Sequence, residues 1–486
     1  MSAPRVVVAG GGLAGIAAAL TAADGGAEVV LVERRARLGG LTWSLERNGM
    51  WFDNGQHVFL RCCTSYRRFL HRIGAARDVV MQDRLEVPVL SSGGRKDVIR
   101  RSMLPAPLHM AGALFGYRHL GTREKLRAAR AATALRRLDP GDHFLDSGTF
   151  GEWLRRHRQS DAAIDALWDL IALPTLNLPA AEASLALAVK VFRTGLLQEA
   201  GAGDIGWANV PLIDLHARRA ERALDAAGVE VVLGARVTAL ERAAPGLSVC
   251  TDGRVMEADA VVLSVPPQVA SSLAGPGVMG EVERLGRSPI VNVHLVLDRR
   301  VTDLPFAAAI GSPVQFLFDR TETSGLSEID QTRQRQYLAI SLSAADAYVG
   351  IPSNSLVTLF RDALGDLLPM ARSAEVVDAL VTREPAATFR AGPGTMTLRP
   401  STSTSIEGLF VSGAWCNTGW PATMEGAVQS GIRAAEHALA FTECQRRPQS
   451  AGMALIGEAS SRYAWNEATP RPEHEPLTPL PEEAMT

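Results

Sequence analysis

Arg5-Val6-Val7-Val8-Ala9-Gly10-Gly11-Gly12-Leu13-Ala14-Gly15 is the stretch on which the fold turns. Its first five residues form a short β-branched run of the kind found in buried parallel strands. Gly10, Gly12 and Gly15 then satisfy the GxGxxG spacing at the start of a small-residue helix, Ile16 to Ala23. One glycine makes the turn, one lets the backbone approach a pyrophosphate, and one lets helix and strand pack closely. The helix N-terminus adds free N–H groups and a positive dipole end. A second strand, Glu28 to Val32, ends at Glu33, 18 residues after Gly15. A carboxylate there accepts hydrogen bonds from a ribose diol and disfavours a 2′-phosphate. The chain is expected to bind a dinucleotide.

Outward from this unit, Asp214 to Ala227 reads as a helix, Val229 to Leu233 and Arg236 to Glu241 as strands, and Ala258 to Val265 as an apolar strand. Leu409 to Ser412 reads as a strand and Met424 to Ala440 as a helix. The pattern predicts one dinucleotide domain assembled from residues 1–75, 214–275 and 396–440. A second domain is inserted twice, at 76–213, read as helix-rich, and at 276–395, read as mixed. Residues 441–486 turn Pro- and Glu-rich and read as a disordered tail.

The formal net charge of -2 over 486 residues argues against a nucleic-acid partner for the whole chain. Five Cys, two of them adjacent (Cys62, Cys63), make neither a disulfide framework nor a metal knuckle. A reducing cytoplasm is expected, and no metal. No leader segment and no apolar run long enough to span a bilayer is read.

Glu33-Arg34-Arg35-Ala36-Arg37-Leu38-Gly39-Gly40 extends the fingerprint in the form ExxxRxGG. Arg37 can place a charge near the pyrophosphate, and Gly39 and Gly40 let backbone lie against the ligand. With Phe52-Asp53-Asn54-Gly55-Gln56-His57, and with Gly413 and Gly419-Trp420-Pro421-Ala422-Thr423-Met424-Glu425-Gly426-Ala427, this resembles the FAD-binding amine-oxidase and phytoene-desaturase superfamily. The resemblance implies an α/β fold: a Rossmann-like FAD-binding domain of the glutathione-reductase type, with an inserted α+β substrate domain. It implies FAD as cofactor, held by Gly10, Gly12, Gly15, Glu33, Arg37, Gly39, Gly40, Gln56, Val237, Gly413, Met424 and Glu425. The helix start at Met424 would face the pyrimidine edge of the flavin. The superfamily usually carries an acid after the strand glycine; here Ala414 stands instead. Cys416 does not match the covalent flavin cysteine of the amine oxidases.

Leu173-Pro174-Thr175-Leu176-Asn177, Val291-Asn292-Val293-His294-Leu295 and Phe316-Leu317-Phe318-Asp319-Arg320 sharpen the likeness. Together with the flavin motifs they resemble the bacterial hydroxysqualene dehydroxylases, over about residues 4 to 440. This implies reduction of hydroxysqualene to squalene, upstream of hopanoids, with electrons from NAD(P)H or a separate reductase. Carotenoid desaturases and amine or protoporphyrinogen oxidases share the fold. Such a reaction needs a proton source, for which His57, Asp53 and Asp169 are the candidates. His57 and Gln56 serve equally well as turn residues or flavin hydrogen-bond partners, Asp53 as a cap, and Asp169 as a structural residue. Transient positive charge could be met by Trp43, Trp51, Trp415 or Trp420, which also read as packing.

Residues 95–137 carry eleven Lys or Arg against two acids, interleaved with Met103, Leu104, Leu108, Met110, Leu114 and Phe115. Read as helical segments, they suit a peripheral contact with the inner face of a bacterial cytoplasmic membrane, or a solvated basic helix pair.

Overall fold

A computed structural model describes residues 2–243 and 246–446. Residues 2–446 fall within one compact unit. Strands Glu230–Leu233, Glu28–Glu33, Arg5–Ala9, Ala260–Leu263 and Leu409–Val411 form a five-stranded sheet in that spatial order. All its pairings are parallel, and Val7 stands between Val30 and Val261. The central strands are buried on both faces, as a sheet covered by helices requires, while the edge strand Glu230–Leu233 stays partly exposed. Helix Leu13–Asp24 buries ten of its twelve residues and packs against the C-terminal helix Met424–Arg446. Alanines make that close approach cheap, because they carry no side-chain entropy into the interface.

A seven-stranded sheet forms the second layer, in the order 376–388, 288–297, 336–342, 316–319, 306–310, 86–91, 95–100. Its core includes Val291, Val293, Leu295, Leu338, Ile340 and Phe360. The helical residues 111–197 share one apolar core with the five-stranded sheet, with Phe150, Trp153, Trp168 and Phe192 in ring contact.

Three readings of the sequence change. Arg95–Arg100 is not helical; it is a strand paired antiparallel with Glu86–Ser91. Gly93 and Gly94, both at positive φ, make the hairpin turn that a helical reading overlooks. Residues 76–213 therefore lend two strands to the larger sheet. The C-terminal helix runs to Arg446, past the expected end at 440, and Thr442 beyond that end stays buried, one turn on from Ala438. The remainder of the expected tail, 447–486, lies outside the described residues.

Candidate functional site

The glycine loop sits at the C-terminal end of strand Arg5–Ala9, where ligands bind in open α/β sheets. A Cβ on Gly15 would lie 1.8 Å from the Gly10 carbonyl oxygen, so the loop closes only with glycine there. A Cβ on Gly12 would meet only Gly40 Cα, at 3.8 Å, which leaves a backbone-walled cradle at the helix start. Glu33 is buried, and its carboxylate accepts from Gly11 N at 2.7 Å and Arg35 N at 2.8 Å. Gly234 N donates to Arg35 O and Ala235 N to Glu33 O, which brings Val237 to the same side. Arg37 donates to the Leu38 and Gly40 carbonyls and lies 4.9 Å from the Trp43 ring centroid. Burial, helped by neighbouring Arg35, lowers its pKa to about 10. Gly15→Val is expected to give protein without bound cofactor; a variant that keeps full flavin absorbance would contradict the cradle.

On the other flank of strand Arg5–Ala9 lie the ends of Ala260–Leu263 and Leu409–Val411. Ser264 and Ser412 hydroxyls meet there at 2.6 Å, and Gly413 N donates to Ser430 Oγ. The C-terminal helix begins just beyond, at Met424. Glu425 is buried, and its carboxylate is engaged within the chain. It accepts from Ser65 N, Tyr66 N and Gln429 Nε2, capping helix Thr64–Arg72. Only its backbone is free to serve a cofactor.

Asp53, Gln56 and His57 line one cavity with Val58, Trp207, Leu212, Phe318 and Arg320. Asp53 accepts from Arg320 Nη2 (2.8 Å), Ser44 Oγ (2.6 Å) and Leu212 N (3.0 Å). It is a buried ion-pair partner with its lone pairs engaged, not a free proton source. His57 is half-buried; burial lowers its pKa, against the Asp53 carboxylate and a hydrogen bond to the Asn54 backbone. Asp169 is not brought to this cavity. Its carboxylate accepts from Ala180 N at 2.7 Å, and burial raises its pKa to about 6.

Three buried polar atoms around this segment have no partner among the described residues: Gln56 Nε2, His216 Nδ1 and Asn292 Oδ1. His57 Nε2 and Asn292 Nδ2 lie 3.5 and 3.7 Å from where a Gly55 Cβ would stand. Buried groups left unpaired are costly, so these atoms mark where a polar ligand belongs. A cradle at one flank and orphaned donors and acceptors at the other fit a dinucleotide that spans the sheet's C-terminal edge.

Trp43, Trp51 and Trp420 each already face a cation of the chain: Arg37, Arg218 and Lys190 respectively. Trp415 donates its indole N–H to Val265 O. The aromatic rings that do line the cavity are Trp207 and Phe318, both packed against Phe306. Sequence reading missed Trp207, which lies on a four-residue strand with no motif around it. Arg320 ended a segment quoted for its family likeness, so a signal for it existed. Cys416 is fully buried, and burial raises its thiol pKa far from the thiolate range.

Arg399 holds the segment after Gly413 in place. Its guanidinium donates to the carbonyls of Ala414, Trp415 and Cys416, the first of which stands where the superfamily usually carries an acid. Arg399→Met leaves those carbonyls without their donor and is expected to destabilise the fold by about 2–4 kcal/mol. Thermal denaturation of the variant reads this, and an unchanged Tm would refute it.

The model of the flavin-containing amine oxidoreductase family matches residues 13–439. The chain belongs to that family. It is an FAD-dependent oxidoreductase. Among its relatives, the hydroxysqualene dehydroxylase of Sinorhizobium fredii is 28% identical, covering 90% of this chain and 99% of its own. That of Rhodopseudomonas palustris is 29% identical, covering 90% and 98%. The ζ-carotene desaturase of Capsicum annuum is 24% identical, covering 89% and 80%. In fold, the chain is similar to cyclohexylamine oxidase from Brevibacterium oxydans, with a TM-score of 0.68 and 18% identity over 91% of this chain and 100% of that one.

Proposed function

We propose that the protein reduces hydroxysqualene to squalene, as a step toward hopanoids, and works at a membrane surface. The likeness to hydroxysqualene dehydroxylases carries this reading. It stands at 28–29% identity over 98–99% of their length, against 22–24% for the carotene and phytoene desaturases. Bound FAD, reduced by NAD(P)H or a reductase, would supply the hydride, and the hydroxyl would leave as water once protonated. The chain's own residues hold the substrate, supply a proton and keep water out. Trp207 and Phe318 offer apolar faces beside His57, and the Trp207 indole face stabilises developing allylic charge. His57 orients the hydroxyl. Its protonated form, favoured by Asp53 and opposed by burial, gives a proton to the departing oxygen.

A pH dependence follows. The donor form of His57 is populated only below its lowered pKa, so turnover should rise as pH falls through the neutral region. The inflection is expected below the ordinary histidine value of about 6.5. His57→Gln should lose about 10²–10³-fold in rate and lose that inflection; a variant that keeps the same profile would remove His57 from the reaction.

The membrane contact rests on side chains that the fold leaves outside. Met103 is 81% exposed, and Leu104, Leu108 and Phe115 are at least half exposed. Lys125 Nζ donates to the Phe115 carbonyl, and Arg118 and Arg123 are exposed nearby in sequence. Arg101 takes no part, because it is buried against Asp204. Among the described residues no helix is long and apolar enough to cross a membrane. The segment instead suits insertion to headgroup depth, with its cations on anionic lipid. Flotation with phosphatidylserine vesicles should carry the wild type upward, and a Met103→Glu, Leu104→Glu, Leu108→Glu variant should stay at the bottom. Equal flotation of both would remove this surface from the account.

A further inference from the structure

Lys190 is one of three lysines in the chain. It lies on helix Leu185–Phe192, Leu-Ala-Leu-Ala-Val-Lys-Val-Phe, whose other residues are all buried. An ammonium in such a helix is expensive unless something compensates its charge. Lys190 is half-buried, and among the described residues it has no ion-pair partner. Its Nζ instead lies 4.7 Å from the centroid of the Trp420 ring. Burial acts most strongly on it and lowers its pKa; Cys62 and Glu425 favour its charge, and Arg193 and Arg433 oppose it. Glu425 spends its carboxylate on two backbone N–H groups of helix Thr64–Arg72 and on Gln429. The charge of Lys190 is therefore not consumed by a direct pair.

The strand order says what this cation faces. Glu33 ends the strand on one flank of the glycine loop; Ser264 and Gly413 follow the strands on the other. A dinucleotide with its adenosine ribose at Glu33 must run its second half past Ser264 and Gly413 to the helix start at Met424. Trp420 precedes that start by one turn of chain. Lys190 thus brings a side-chain cation from the inserted helical region to the helix start, where the helix dipole already supplies partial positive charge.

We propose that Lys190 is an electrostatic determinant of flavin reactivity, holding positive charge beside the ring so that its anionic reduced form is stabilised. The Trp420 ring fixes the ammonium against the helix start and shields it from water. This role uses only the FAD assignment and is independent of which substrate the enzyme reduces.

The test uses holoprotein and no substrate. Sulfite adds to oxidised flavin as an anion at the ring, so its affinity reports positive charge there. Lys190→Met should weaken sulfite binding about tenfold. It should also lower the two-electron potential by the equivalent of about 30 mV. Lys190→Arg should keep both near wild type. Lys190→Met with wild-type sulfite affinity and potential would overturn the proposal and leave Lys190 a packing residue. Should Lys190→Met fail to fold, a Lys96→Arg, Lys125→Arg background leaves Lys190 as the one lysine. Cyanate then neutralises it on folded holoprotein, with the same tenfold loss expected. Unchanged sulfite affinity after complete carbamylation would equally overturn the proposal.

Discussion

Arg320→Met is expected to destabilise the folded chain by about 3–5 kcal/mol, because it strands a buried carboxylate. Arg320 and Asp53 expose only 7% and 5% of their side chains, so neither charge is relieved by solvent when its partner goes. Arg320 also donates to the Ala208 carbonyl, so its two bonds tie the larger sheet to the strands Met50–Asp53 and Ile205–Ala208. A double variant, Asp53→Leu with Arg320→Met, should recover part of the loss, since no isolated charge remains. Recovery stays incomplete because Leu212 N and the Ser44 hydroxyl lose their acceptor. Urea denaturation of the three proteins reads both effects. A single-variant loss below about 1 kcal/mol would mean the pair behaves as a surface contact.

The second large effect is acid lability. His216 and His294 are fully buried, and burial lowers the pKa of each to about 3. His216 bonds the Tyr66 hydroxyl at 2.8 Å, and His294 bonds that of Tyr337 at 2.7 Å. Both rings are held neutral in the fold and titrate near 6.5 when the chain unfolds. Between about pH 6.5 and 3 the unfolded chain binds more protons, so stability falls as pH falls through that window. From neutrality to pH 5 each histidine removes about 2 kcal/mol. His216→Phe should therefore flatten the acid limb of the Tm–pH curve, even though it loses the Tyr66 bond and some stability at pH 7. A variant with an acid limb as steep as wild type would show that His216 does not titrate between the two states.

What the sequence reveals follows from how local each signal is. The glycine loop, Glu33 and the strand and helix at the C-terminus rest on short spacings along the chain. They appear in the fold where the spacing puts them. Strand 376–388 escaped notice because Pro385 interrupts it. It survives because it is an edge strand whose register shifts between Ser288 and Ile290, opposite that proline. The chemistry around His57 was only half visible. Asp53 looked like a proton source because the sequence hides Arg320, 267 residues away, that claims its charge. Glu425 looked like a cofactor ligand because its motif sits on the flavin helix, yet its carboxylate caps a different helix. Trp207 and Lys190 carry no motif, and only the packing of distant segments gives them a role.

An anaerobic product assay tests the central claim most directly. FAD-loaded protein, reduced with dithionite, is given hydroxysqualene in liposomes, and the extract is analysed by gas chromatography–mass spectrometry. Squalene should accumulate only with reduced flavin and in proportion to enzyme. Bound, reducible flavin with no squalene formed, alongside desaturation of phytoene by the oxidised protein, would contradict the account and make the chain a desaturase.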